Sequence, residues 1–130
     1  NDLQPFELNV QTAERTMIDK IFALADYYML GSISEHSRHI YDIYKLSGIV
    51  PIDDTLRDLA LSVAQERKPH KMCLSVQDGI NVTEILKEII LKDVYKDDYN
   101  AITIPLLFED VTYEQAIKAL TDIFEKELFN

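Results

Sequence analysis

TAERTMIDKIFALADYYMLG, residues 12–31, is the stretch whose reading decides the fold. Met17, Ile21, Leu24, Ala25 and Tyr28 recur at intervals of three and four. That spacing predicts a helix over about 13–29 with one buried stripe. Thr12 stands where an N-cap is wanted, and Gly31 supplies the stop. A helix with such a stripe needs partners, and the flanking sequence provides them.

Downstream, Ser34 is placed to cap a second helix over about 35–47, with Ile40, Ile43, Tyr44 and Ser47 on one side. Gly48 ends it and Pro51 prevents its resumption. Asp53 opens a third helix over about 54–67, with Leu56, Leu59, Ala60, Val63 and Ala64 on its apolar face and Pro69 beyond its end. Residues 69–80 read as a connection. Asn81 and Glu84 have capping-box spacing before a fourth helix over about 82–95, carrying Val82, Ile85, Leu86, Ile89 and Ile90. Residues 96–100 read as a polar turn, and Ile102 to Phe108, interrupted by Pro105, as irregular buried chain. Thr112 and Gln115 open a last helix over about 113–129. Upstream, Phe6, Leu8 and Val10 alternate with Glu7, Asn9 and Gln11, a period of two that predicts an edge strand over residues 1–11. The expected fold is therefore mainly α, a bundle of about five helices with a short N-terminal edge strand.

Composition agrees with a globular domain. The 130 residues are 47% apolar and 28% charged, with only three glycines and four prolines, which excludes a disordered tail or a collagen-like repeat. The formal net charge of −10 argues against a broad basic nucleic-acid surface, while leaving room for a local basic pocket. The acids concentrate toward the C-terminus. A single cysteine, Cys73, excludes an internal disulfide and points to a reducing cytoplasm. No apolar run reaches the ~18 residues of a membrane span.

The densest polar constellation lies on the first two helices: Glu14, Arg15, Asp19 and Lys20, then Arg38, His39, Asp42 and Lys45. Arg38, Asp42 and Lys45 share one face of the second helix at i, i+4 and i+7. Lys20 sits at the edge of the buried stripe of the first. An antiparallel pairing of the two helices brings these clusters together, and a lysine beside an aspartate and an arginine suits a phosphate. The spacing by itself is equally that of ordinary helix-surface ion pairs. His36, His39 and His70 lack the pattern of a metal site, and no metal ligand is expected in the chain. Cys73, between Met72 and Leu74, reads as a small buried hydrophobe. The tyrosines Tyr27, Tyr28, Tyr41 and Tyr44 read as core residues with hydroxyls at the rim.

The wording of these two helices resembles the C-terminal half of the AbiEii/AbiGii toxin family. Glu14 to Leu24 matches its block of a glutamate, an acid–lysine pair and a hydrophobic-x-Ala-hydrophobic tail. Arg38 to Tyr44 matches its second block, R-x-x-x-D followed by a hydrophobic and an aromatic residue. The resemblance covers roughly residues 6–50. It implies a nucleotidyltransferase-like protein of abortive-infection, phage-defence and type IV toxin–antitoxin systems. On that reading Lys20 and Asp42 are catalytic, and Lys20, Arg38 and Lys45 bind the nucleotide phosphates. Asp19 occupies the acidic position before the lysine. The glycine–serine turn and D-x-D pair that bind two divalent metals in this superfamily have no match here; Gly31-Ser32 is followed by none.

The expectation is thus a C-terminal helical domain, residues 1–130, of a larger protein whose metal-binding N-terminal domain precedes Asn1. The intact protein would use Mg2+ and an NTP, transfer a nucleotidyl group to an acceptor such as an RNA end, and be countered by an antitoxin in the cytoplasm. The fragment alone would be inactive. The competing expectation is a non-catalytic acidic helical module for protein–protein interaction.

Overall fold

Helix α1 (Val10–Leu30) is the axis on which the rest of the chain packs in the computed structural model, which describes residues 10–129. Met17, Ile21, Leu24 and Ala25 are buried as the stripe requires, but so are Ile18 and Phe22. Burial extends around most of the helix because α2 (Arg38–Ser47), α3 (Asp54–Arg67), a 3-10 turn (Leu74–Val76) and α4 (Val82–Lys92) all pack against it. A helix covered on several sides is the centre of a bundle, not its wall.

α1 ends where Gly31 takes φ 75°, and the Ser32 N–H donates to the Tyr27 carbonyl at 2.8 Å, closing the last turn through a left-handed residue. α2 then begins at Arg38, later than the sequence predicts, and Ser34 is not its cap. The N-cap position is Ser37, whose side chain makes no capping bond to its own helix. A carboxylate from elsewhere instead pins the turn that leads into the helix. Asp98 accepts from the Glu35 N–H at 2.8 Å, the Ser37 N–H at 3.2 Å and the Ser37 hydroxyl at 2.5 Å. Glu35 itself sits at φ 68°, a conformation that a side chain makes costly. The connection is thus set by a tertiary contact that local spacing does not encode.

α3 has the predicted bounds, capped by the Asp53 side chain accepting from the Leu56 N–H at 2.9 Å. Asn81 caps α4, accepting from Thr83 at 2.9 Å and Glu84 at 3.3 Å. α4 stops at Lys92, because Asp93 turns left-handed at φ 49° and its carboxylate accepts from the Tyr113 hydroxyl at 2.9 Å. The segment expected as a polar turn and irregular buried chain is helical instead. A short α5 (Lys96–Asp98) runs into a π-helical turn (Tyr99–Thr103) and a 3-10 turn (Ile104–Leu106). Its apolar residues are not buried: Ile102, Ile104 and Leu106 are exposed and Phe108 fully so. The residues it buries are Tyr99 and Thr103.

The last helix, α6 (Tyr113–Glu125), has the predicted capping box between Thr112 and Gln115 but ends earlier than expected. It packs on α2 and α4. Arg57 of α3 closes its end, donating to the Lys126 carbonyl at 2.8 Å.

The expected edge strand needs correction. Among the described residues there is no strand, and Val10 and Gln11, which alternation assigns to it, lie in α1. Two residues of alternation carry little weight against continuation of a helix packed on four neighbours. The rest of that stretch, Phe6 and Leu8 included, lies outside the described residues. The fold is a six-helix α bundle with no strand among those residues. The tyrosines fall into two groups. Tyr27, Tyr28, Tyr41 and Tyr44 are half-buried, whereas Tyr95, Tyr99 and Tyr113 are fully enclosed. Each enclosed hydroxyl finds an acceptor: the Leu24 carbonyl at 2.8 Å, the Val111 carbonyl at 2.9 Å and Asp93, as buried polar groups require.

Candidate functional site

α1 and α2 are antiparallel, since Lys20 meets Asp42 while the later Tyr27 meets the earlier His36. Lys20 Nζ lies 3.1 Å from Asp42 Oδ2, and each side chain keeps about a quarter of its surface exposed, 28% and 24%. Arg38 Nε reaches the other oxygen, Oδ1, at 3.7 Å. The Arg38 guanidinium also lies 5.7 Å from the centre of the Tyr41 ring, a cation–π distance. Two cations therefore share one carboxylate and leave a net positive charge beside solvent. That is an arrangement an anion can join without stripping a buried ion pair.

Lys45 is not part of this group. Its ammonium pairs with Glu109 at 2.9 Å, and the Tyr41 hydroxyl donates to the same Glu109 oxygen at 2.5 Å. Bonds from Lys45 and Tyr41 hold the Glu109 carboxyl below its ordinary value, and Glu109 in turn raises the Lys45 ammonium. Asp19 also turns away, although it adjoins Lys20 in sequence. One residue on a helix is a rotation of about 100°, so Asp19 faces α3. There it meets Arg67 at 3.3 Å and Arg15 at 3.2 Å. Arg67 continues to the buried Asp26 at 3.0 Å, whose other oxygen accepts from the Ser75 N–H at 2.7 Å. The acidic position before the lysine thus belongs to a structural network.

His39 belongs beside the site. It precedes Asp42 by one helical turn, and burial, followed by the charge of Lys20, lowers it below its ordinary 6.5 against the pull of Asp42. The shift favours the neutral imidazole at pH 7. Its ring is nearly parallel to Tyr27 (5.7 Å, 7°) and His36 (6.3 Å, 12°), while Tyr27 and His36 stack at 3.6 Å. The signal in the sequence is that Tyr27 lies two turns from Lys20 and His39 one turn from Asp42, on helices that face each other.

These residues do not fit a divalent metal. Both Asp42 oxygens face cations, and among the described residues no group of three or more His, Cys, Asp or Glu side chains could hold an ion. An apolar hollow of about 300 Å³, lined by Phe22, Leu61, Ile80 and Phe129 among others, shares no residue with the Lys20–Asp42 pair. Arg57 also lines it, but its guanidinium is engaged by Asp54 and by the carbonyls that end α6.

The described residues form a helical domain that sets two cations, Lys20 and Arg38, around one aspartate on paired helices. A family model, nucleotidyl transferase AbiEii toxin of type IV TA systems, matches residues 1–125. The chain belongs to the AbiEii nucleotidyltransferase toxin family, in which an antitoxin is the partner that the system implies. No match was found among curated proteins, and none among solved structures. No helix among the described residues is long and apolar enough to cross a membrane.

Proposed function

We propose that this chain supplies the phosphate-holding residues of a nucleotidyl transfer site. Lys20 and Arg38 bind the NTP phosphates, and Asp42 holds both cations in place and aligns the reacting groups. Nucleotidyl transfer is largely positioning plus charge stabilisation, which is what such a clamp offers. Lys45 joins only by exchanging Glu109 for phosphate. Divalent metal is held by carboxylates of an N-terminal nucleotidyltransferase domain outside these residues, and the acceptor is an RNA end. In the cytoplasm the product is toxic and an antitoxin opposes it. The observation that carries this reading is the direct Lys20–Asp42 pair at 3.1 Å, at the edge of solvent.

The test is transfer of label from an α-labelled NTP to RNA by the full-length toxin. Lys20→Ala is expected to lower the rate by about 10²–10³-fold. It should move the melting temperature little, because a partly exposed ion pair is worth about 0–1 kcal/mol. Wild-type transfer by Lys20→Ala would refute the assignment. The second reading, an acidic interaction module, rests on the exposed strip of Ile102, Ile104, Leu106 and Phe108. It would gain if Phe108→Ser abolished toxicity while Lys20→Ala did not.

A further inference from the structure

We propose that His39 is a third phosphate ligand beside Lys20 and Arg38, donating a hydrogen bond from Nε2 as an uncharged group. The proposal rests on the nucleotide-site reading and adds to it a residue whose part is not electrostatic.

His39 follows Arg38 and lies one turn before Asp42, on the side of α2 that meets α1. Its Nδ1 is completely buried and has no hydrogen-bond partner. A neutral imidazole carries one N–H. Placing that hydrogen on Nδ1 would bury a donor with nothing to accept it, the costlier of the two choices. The hydrogen therefore belongs on Nε2. Nε2 makes no hydrogen bond to the described residues and, unlike Nδ1, is not sealed from solvent. The ring is flanked by Tyr27 and His36, nearly parallel to it at centroid distances of 5.7 and 6.3 Å, neighbours that limit its rotation and so the direction of the N–H. Such preorganisation is what makes a donor useful to an anion.

The uncharged state matters. Lys20 and Arg38 already crowd one carboxylate, and a third cation there would be repelled by both. Burial and the Lys20 charge keep the imidazole neutral, so it extends the phosphate site without that repulsion. The ligand chemistry is a polyphosphate chain, free or as part of a nucleoside triphosphate.

The experiment is long-range 1H–15N NMR of the histidines in the 15N-labelled 130-residue chain near pH 7.5, titrated with inorganic tripolyphosphate and separately with ATP. His39 is expected in the Nε2–H tautomer, with its Nε2 signal moving together with Lys20 Nζ while the exposed His70 stays still. A response to both probes assigns the contact to the phosphates; a response to ATP alone, without tripolyphosphate, overturns the phosphate assignment. His39→Phe keeps the ring stack and should weaken tripolyphosphate roughly tenfold. His39→Gln returns an N–H near Nε2 and should restore affinity to within about threefold. An Nδ1–H tautomer, or a still His39 while Lys20 responds, overturns this proposal alone. If Lys20 is also silent and Lys20→Ala binds as the wild type does, the nucleotide-site reading falls and this proposal with it.

Discussion

Asp26 shows how much of this protein rests on single buried polar groups. It is 6% exposed, accepts from the Ser75 N–H and pairs with Arg67, whose guanidinium also reaches Asp19 and lies 5.6 Å from the Phe22 ring centre. Arg67 Nε is already buried without a partner. Asp26→Ala would take from Arg67 its buried partner, leaving only the more exposed Asp19, and would leave the Ser75 N–H without its acceptor. We expect a loss of about 3 kcal/mol, read as a lower urea midpoint. Lys20→Ala, at an ion pair open to solvent, should differ from it by costing activity and not stability. At this scale the sequence is informative for Lys20, Arg38 and Asp42, because i,i+4 spacing and an antiparallel pairing bring them together whatever the details. It does not reveal that Lys45 pairs with Glu109, which comes from a loop more than sixty residues away in the chain.

At the scale of elements, cap chemistry decides which ends are legible. Asp53, Asn81 and the Thr112–Gln115 box lie within three residues of the N–H groups they satisfy, so the starts of α3, α4 and α6 can be read locally. The start of α2 cannot, because it has no side-chain cap of its own and the turn before it is held by Asp98 of α5. Burial pushes the Asp98 carboxyl up, but bonds from Glu35 and Ser37 outweigh it and hold the group below its ordinary 3.8. A depressed carboxyl contributes stability above its unfolded value that is lost as pH falls through its folded value. The urea midpoint should therefore drop as pH is lowered below about 4. Asp98→Asn should be less stable at pH 7 and lose part of that acid dependence. An unchanged pH profile in Asp98→Asn would show that the clamp contributes nothing.

For the whole molecule, the central position of α1 sets the cooperativity. Leu24 is fully buried, and its carbonyl accepts from the Tyr95 hydroxyl at 2.8 Å, so one residue joins the axis to the segment after α4. Leu24→Ala should cost about 2–5 kcal/mol. It should leave a single unfolding transition, with far-UV circular dichroism and tyrosine fluorescence superimposing. Separate transitions would mean that α1 does not tie the bundle into one unit.

The sequence by itself determined the helical class, three helix starts, the stripe of α1 and the juxtaposition of Lys20, Arg38 and Asp42. All of these depend on interactions within a few residues or on a 3.6-residue period. Only the tertiary structure decided that Val10 and Gln11 continue α1, and that Asp19 serves a structural network while Lys20 faces α2. It also decided that Glu109 takes Lys45, that Asp98 holds the turn before α2 and that His39 stands half-buried beside the cation pair. The physical reason is common to all of them. Each is settled by which distant carboxylate, carbonyl or ring arrives opposite a residue, and chain spacing carries no record of that.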